Sequence, residues 1–313
     1  MVMSSEPLVS IVTPSFNQAR FLEQTIMSVL DQDYPSVEYL VVDGNSSDGS
    51  QTIIKKYAQK IHWWVSEKDC GQADAINKGL CRARGEIVAW LNSDDYYLPG
   101  AISKAVNTLI QRPETAFVYG DVLAVNAAGT ELNHLRYRPM SLVDLMEFNI
   151  LGQSSVFIRK EILEQTGWLD PSFHYLLDHQ LWVRLALKAP IVYLPELLSG
   201  AHFHPQSKNV SKAGEFGKEA YRIVDWMHGI PELEDLFIQN ESKILAGAHR
   251  LNARYLLDGN QPWQAFKAYL KCLSLDFPTA MTEWYRILFS LAAILGLGKL
   301  KYLHPRWRKR EKN

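Results

Sequence analysis

The first hundred residues alternate short β-branched runs with amphipathic stretches, and this alternation limits the fold more than any other property of the chain. Runs at 8–14, 37–43, 62–67 and 86–91 read as strands. Between them, residues 21–30, 51–59 and 71–83 carry the spacing of helices. Such alternation predicts a parallel sheet with crossover helices. Each strand then delivers a polar turn to the carboxyl edge of the sheet: Ser15, Phe16 and Asn17 after the first, Asp43 and Asp48 around the second, and Asn92, Ser93, Asp94 and Asp95 after the fourth. Ligands of open α/β sheets bind at that edge. Adjacent carboxylates there suit a divalent cation that in turn holds a diphosphate. A turn of solvated acids and amides is the competing explanation for the same residues.

Composition bounds the function classes. With 313 residues, 47% hydrophobic and 21% charged, the chain is long enough for one large domain with an appendage, or for two domains. A net charge of -1 excludes the basic excess of a general nucleic-acid binder. Cys70, Cys81 and Cys272 form an odd set without a CxxC pair, as expected of a reducing cytosol. Residues 1–7 show neither a basic region nor an apolar run, so no secretory signal is expected there. No glycine-rich nucleotide loop follows the first strand, which leaves phosphate neutralisation to a metal.

Four segments in order, Ser10-Ile11-Val12-Thr13-Pro14-Ser15-Phe16-Asn17, Val42-Asp43 through Ser50, Gly71-Gln72-Ala73-Asp74-Ala75-Ile76-Asn77-Lys78-Gly79 and Leu91-Asn92-Ser93-Asp94-Asp95, resemble family 2 of the glycosyltransferases over residues 8–205. The resemblance implies a GT-A fold, a Rossmann-like mixed and mostly parallel sheet flanked by helices, and inverting sugar transfer. It implies that Asp43 accepts a hydrogen bond from the donor base in a pocket shaped by Pro14 and Phe16, with Asn17, Asp74, Asn92 and Ser93 also on the donor side. Asp94 takes the metal-ligating position of the family's DxD motif, for Mn2+ or Mg2+. Asn92 departs from that motif: it replaces an acid with an amide that can still bond a ribose hydroxyl or a metal-bound water. Weaker metal affinity is the expected effect. Asp95 either orients the metal ligands or caps the next turn, and Asp74 could equally be a helix-capping acid.

In the second half, residues 152–159 read as a strand approached through a small-residue turn, and 167–170 resemble the family's turn before its catalytic helix. Asp178, followed by an apolar helix with Arg184 six residues on, is the candidate general base, although it could also be that helix's N-cap. Leu177 stands where the family often has Glu, which leaves Asp178 as the one acid of the pair. His204 in the late His202-Phe203-His204 segment is expected as a metal or diphosphate ligand. A zinc site is not expected, since no cysteine clusters nearby.

The sequence divides into a 1–210 nucleotide-sugar domain and a 211–313 helical region, with helices at 221–228, 233–257, 262–275 and 278–297. Residues 248–278 faintly resemble a single tetratricopeptide-like hairpin. An apolar run at 287–298 leads into Lys299, Lys301, Arg306, Arg308, Lys309, Arg310 and Lys312 against a lone Glu311. It is too short to span a bilayer and is expected either at an anionic membrane surface or buried with a solvated tail. The sequence thus predicts a metal-dependent transferase that moves a sugar from a nucleotide diphosphate sugar, a UDP-sugar first, to a glycan or lipid-linked saccharide. A cytoplasmic or peripheral inner-face location and a homodimer are further expectations. A sugar nucleotidyltransferase and a non-catalytic nucleotide-sugar-binding module are the alternatives.

Overall fold

The computed structural model describes residues 6–204 and 213–297; residues 1–5, 205–212 and 298–313, the last with the basic sequence, lie outside the described residues. The chain forms two compact units. The first comprises Met1–Ser141 and Leu151–His202, and the second takes Leu142–Ile150 and everything from Phe203 onward.

In the described residues, one sheet contains β1 (Val9–Ser15), β2 (Val37–Asp43), β3 (Trp63–Ser66), β4 (Ile87–Trp90), β5 (Asp95–Tyr97), β6 (Phe117–Asn126), β7 (Glu131–Leu135), β8 (Phe157–Arg159) and β9 (Ile191–Phe203). Its order is β3-β2-β1-β4-β8-β6-β9-β5, with β7 alongside β6. The four strands read from the first hundred residues pair in parallel, β3 on β2, β2 on β1 and β1 on β4. β8 joins β4 antiparallel, and β5 joins β9 antiparallel, so the sheet is mixed. Every residue of β1 is buried, as a strand covered on both faces requires.

The order 3-2-1-4 sets the site. Strand succession runs one way from β1 to β3 and then jumps to the other side of β1, so the crevice of a doubly wound sheet opens between the carboxyl ends of β1 and β4. Register brings the ends of β1, β2 and β3 level: Ser15 lies beside Asp43, and Asp43 beside Ser66. Helix α1 (Ala19–Leu30) presents Phe21, Leu22, Thr25, Ile26 and Val29 inward, the spacing of one helical face. Between β2 and β4, α2 (Ser50–Tyr57) and α3 (Gln72–Arg82) supply the crossovers. Gly79 lets α3 settle onto β1, because a Cβ there would overlap the Val12 side chain.

The remaining helices of the first unit are α4 (Ala101–Gln111), α6 (Lys160–Thr166) and α7 (Leu177–Lys188). Residues 153–155 form a 3-10 turn, which shortens the expected 152–159 strand to β8.

The second unit contains α5 (Leu142–Met146), α8 (Ala213–His228), α9 (Glu234–Asp258), α10 (Pro262–Leu275), α11 (Phe277–Met281) and α12 (Trp284–Ile294). Residues 142–150 belong to it because α9 grips them. Gly247 admits the Glu147 carbonyl against the helix, and Arg250 Nη2 donates to the carbonyls of Glu147 and Phe148 (both 3.3 Å) and to Asn149 Oδ1 (3.2 Å). The helix expected over 278–297 is two helices. Glu283 separates them, buried where its carboxylate accepts from Arg254 Nε (2.8 Å) and Tyr269 OH (2.8 Å).

Candidate active site

At the carboxyl edge, Asp43 organises the loops after β1, β2 and β3. It is fully buried, and its carboxylate accepts from Ser46 N–H (2.9 Å), Ser46 Oγ (2.5 Å) and Ser66 Oγ (2.6 Å). The same Ser46 Oγ accepts from Asn17 N–H (2.8 Å), and Asn17 Oδ1 accepts from Ser47 N–H (2.9 Å). Asn17 holds φ at 53°, a left-handed conformation that Asn tolerates better than most residues. Asp48 continues the stitch: it accepts from Ala19 N–H (2.8 Å), opening α1, and from Ser50 Oγ (2.6 Å), opening α2. Burial pushes its carboxyl up, but the bonds from Ser50 and Ala19 outweigh this and leave it below the ordinary value. Pro14 lies within β1, while Phe16 is 62% exposed, an aromatic face turned to solvent at the sheet edge beside Gly44.

The acidic turn is held by backbone bonds and strand pairing. The Asp95 N–H donates to the Asn92 carbonyl (2.9 Å), and Asp95 begins β5 opposite Ala201. Thr25 of α1 pins the turn from below, its hydroxyl 2.6 Å from the Asp95 carbonyl and 3.0 Å from that of Ser93. Ser93 is buried, so it contributes backbone position here. Asp94 is half-buried, whereas Asp95 is buried and its carboxyl is held well above the usual carboxylate range by that burial and by the neighbouring Asp94.

Asn92 lies at the centre of an amide network that no charge pattern announces. Its Oδ1 accepts from Gln72 Nε2 (2.8 Å), and its Nδ2 donates to Gln153 Oε1 (3.0 Å), with Asp95 Oδ2 at 3.4 Å. Gln153 in turn donates to the Trp90 carbonyl at the end of β4 (2.7 Å). Uncharged amides carry no charge signal, and only their place in quoted motifs could have marked Gln72 and Gln153.

Of the two late histidines, the structure brings His202 to the acidic turn. Its Nδ1 lies 2.7 Å from the Asp94 carbonyl, and its ring stands against Phe21 and Tyr96. His204 belongs to the second unit and is buried there. Asp74 caps the turn before α3, accepting from Cys70 N–H (2.9 Å), and pairs with Lys78 (3.4 Å), which also reaches Glu67 (3.0 Å).

Asp178 is half-buried in the first turn of α7, one residue inside the helix and not at its N-cap, where its Oδ1 accepts from His179 N–H (2.8 Å). One turn further, Trp182 stacks on Trp90 with ring centroids 5.2 Å apart, so α7 is fixed to the strand that delivers Asn92 and Asp94. Two clamps hold the turn leading to α7. Arg184 donates to the carbonyls of Thr166 (3.2 Å), Gly167 (3.3 Å) and Trp168 (2.7 Å), and Asn77 of α3 bonds both the carbonyl (2.8 Å) and the N–H (3.1 Å) of Leu169.

The donor set admits one kind of cation. Among the described residues no group of three or more His, Cys, Asp and Glu is placed to hold a metal, so an all-protein cage is absent from them. Two adjacent carboxylates, Asp94 half-buried and Asp95 buried, fit a hard cation that completes its shell with water and substrate phosphates, as Mg2+ and Mn2+ do.

The chain is similar to known proteins in sequence and in fold. The chain is 33% identical over 232 residues to the putative teichuronic acid biosynthesis glycosyltransferase TuaG of Bacillus subtilis, covering 71% of this chain and 90% of that protein. It is 29% identical over 224 residues to an uncharacterized glycosyltransferase of Rickettsia felis, of which the matched region is 36%. In fold it is similar to S. aureus TarS 1–349 (TM-score 0.59, 18% identity, 97% of this chain and 90% of that one). It is also similar to the mannosyltransferase PcManGT of Pyrobaculum calidifontis in complex with GDP-Man and Mn2+ (TM-score 0.61, 19% identity, 97% and 83%). The family described as Glycosyl transferase family 2 matches residues 10–167, and the chain belongs to that family.

Proposed function

We propose that this glycosyltransferase moves one sugar, with inversion, from a UDP-sugar to a hydroxyl of a glycan or lipid-linked saccharide in cell-surface polysaccharide biosynthesis. The observation that carries the reading is the convergence of Phe16, Asp43 and the Asn92–Asp95 turn at the crevice between β1 and β4. TuaG's assignment to teichuronic acid biosynthesis supports the polysaccharide reading, and a TarS 1–349 structure in complex with UDP-GlcNAc supports the donor class.

In this reading the exposed Phe16 ring stacks on the base. Asp43 has three of about four acceptor positions occupied and would give the last to the base N–H once the entering donor uncovers its buried carboxylate. Asp94 would hold Mn2+ or Mg2+, with Asp95 behind it; when bound, the cation neutralises the leaving diphosphate. Asp178 removes the proton of the acceptor hydroxyl while that oxygen attacks the anomeric carbon from the face opposite the departing nucleotide. The clamps from Arg184 and Asn77 keep the approach to Asp178 fixed. Loss of geometry there slows transfer without weakening donor binding.

The test is calorimetric titration of UDP, GDP and dTDP with and without manganese, on the native chain and on Asp94→Ala. Metal-dependent binding of UDP that the substitution abolishes is the expected result. Preference for GDP would overturn the donor assignment, and failure of all three to bind folded protein would overturn the active-transferase reading.

A further inference from the structure

Helix α12 packs Ile287 and Phe289 against the core of its unit and buries its polar side chains there as well, which leaves a second apolar face outward. Arg286 and Ser290 are buried, as is Glu283 just before the helix, and Arg286 Nη1 donates to Asp258 Oδ1 at 2.9 Å. With these groups committed to the interior, the opposite face carries Trp284 (51% exposed), Leu288 (57%), Leu291 (41%) and Leu295 (67%), at spacings that keep them on one side. Phe277 and Met281 of α11 are exposed as well. Between Phe277 and Leu297 the sequence has one acid and one base, Glu283 and Arg286, and both are inside. The outward surface of this stretch therefore bears no charge.

We propose that this face docks on the surface of an anionic lipid bilayer, with α12 lying in the interfacial plane. The sequence that follows selects this occupant: it supplies seven Lys and Arg against Glu311 directly after the apolar face. Apolar residues with an indole, next to a dense cationic segment, complement acyl chains and anionic headgroups together. A second copy of the chain is disfavoured, since pairing these faces would bring two such cationic segments together. Spanning is excluded for α12, whose 11 residues reach about 16 Å, and no helix among the described residues is long and apolar enough to cross a membrane. Each Lys or Arg close to such a surface strengthens partitioning about fivefold at low salt. The inference does not depend on which sugar is transferred, or on turnover.

The experiment is flotation of the full chain with phosphatidylcholine vesicles, with and without phosphatidylserine. It compares the native protein, the double variant Leu288→Ser/Leu291→Ser, and the tail variant Arg308→Gln/Lys309→Gln/Arg310→Gln. Circular dichroism and nucleotide titration on the same samples confirm that each variant is folded with its donor site intact, which separates this test from that of the transferase reading. The expected result is binding to anionic vesicles only, weakened about tenfold or more by either variant and reduced by salt. Vesicle binding unchanged in Leu288→Ser/Leu291→Ser would show that the tail acts alone and overturn the proposal. So would absence of binding, or a dimer without vesicle affinity that the Leu288→Ser/Leu291→Ser change dissociates.

Discussion

Asn77 is the residue at which a structural and a donor-binding role part most clearly, and replacing it by Ala tests the reasoning about the site. Its side chain makes two bonds to one residue, donating to the Leu169 carbonyl (2.8 Å) and accepting from the Leu169 N–H (3.1 Å). Two neutral bonds of this kind are worth about 2 kcal/mol net. Leu169 is 2% exposed, so its freed backbone groups gain little water, and the cost rises toward about 4 kcal/mol if both stay dry. For a unit of this size that corresponds to a fall in melting temperature of roughly 5–15 °C. Because the clamp faces the turn before α7 and not the β1–β4 crevice, nucleotide affinity should change less than about threefold, which is under 1 kcal/mol. Thermal unfolding followed by fluorescence, with calorimetric titration of UDP well below the transition, measures both quantities. Unchanged stability with a tenfold loss of UDP affinity would refute the clamp and place Asn77 at the donor site.

Three other outcomes are expected. Asn92→Asp removes the donor to Gln153 and sets a third acid beside Asp94 and Asp95; without metal it should cost about 1–3 kcal/mol, read by chemical denaturation, while tightening Mn2+ binding in calorimetry. Glu283→Gln strips the charge that balances half-buried Arg254 and buried Arg286, and it should destabilise the second unit by about 3–5 kcal/mol, seen as faster hydrogen exchange in α9, α10 and α12. Burial pushes the Glu283 carboxyl up, but Arg254 and Arg286 bring it below its ordinary 4.5, so its contribution is complete above that value and lost as pH falls through the lower folded one; acid unfolding followed by circular dichroism should lose this step in Glu283→Gln.

The parallel half of the sheet was legible because its inner strands are buried and so concentrate apolar residues: β1 through Val9, Ile11 and Val12, β4 through Ile87 to Trp90. The acids at their ends were legible because an apolar run that stops at a carboxylate is a sharp contrast. β5 was not, since three residues, Asp95 to Tyr97, form a strand only because β9 lies beside them. β7, partly exposed and paired with β6 alone, was equally hidden. The break between α11 and α12 had no local signal either. It exists where Glu283 turns in to meet Arg254, 29 residues away in sequence, and no periodicity reports such a partner.

The departure at Asn92 follows from the surroundings of Asp95. Buried and raised by Asp94, Asp95 already stores an unfavourable like-charge interaction, and an acid at 92 would add a second with its own desolvation. The amide at 92 reverses the sign of that contact, because its Nδ2 points a donor toward Asp95 Oδ2 while also bonding Gln153. Gln153 carries the same order to the Trp90 carbonyl, and Trp90 stacks on Trp182 of the helix that bears Asp178. Charge relief at the acidic turn and placement of the candidate base are thus parts of one connected structure. An acid at 92 would exchange that connection for cation affinity, whereas the amide leaves the cation to be held chiefly with substrate phosphates, coupling metal binding to the arrival of the donor.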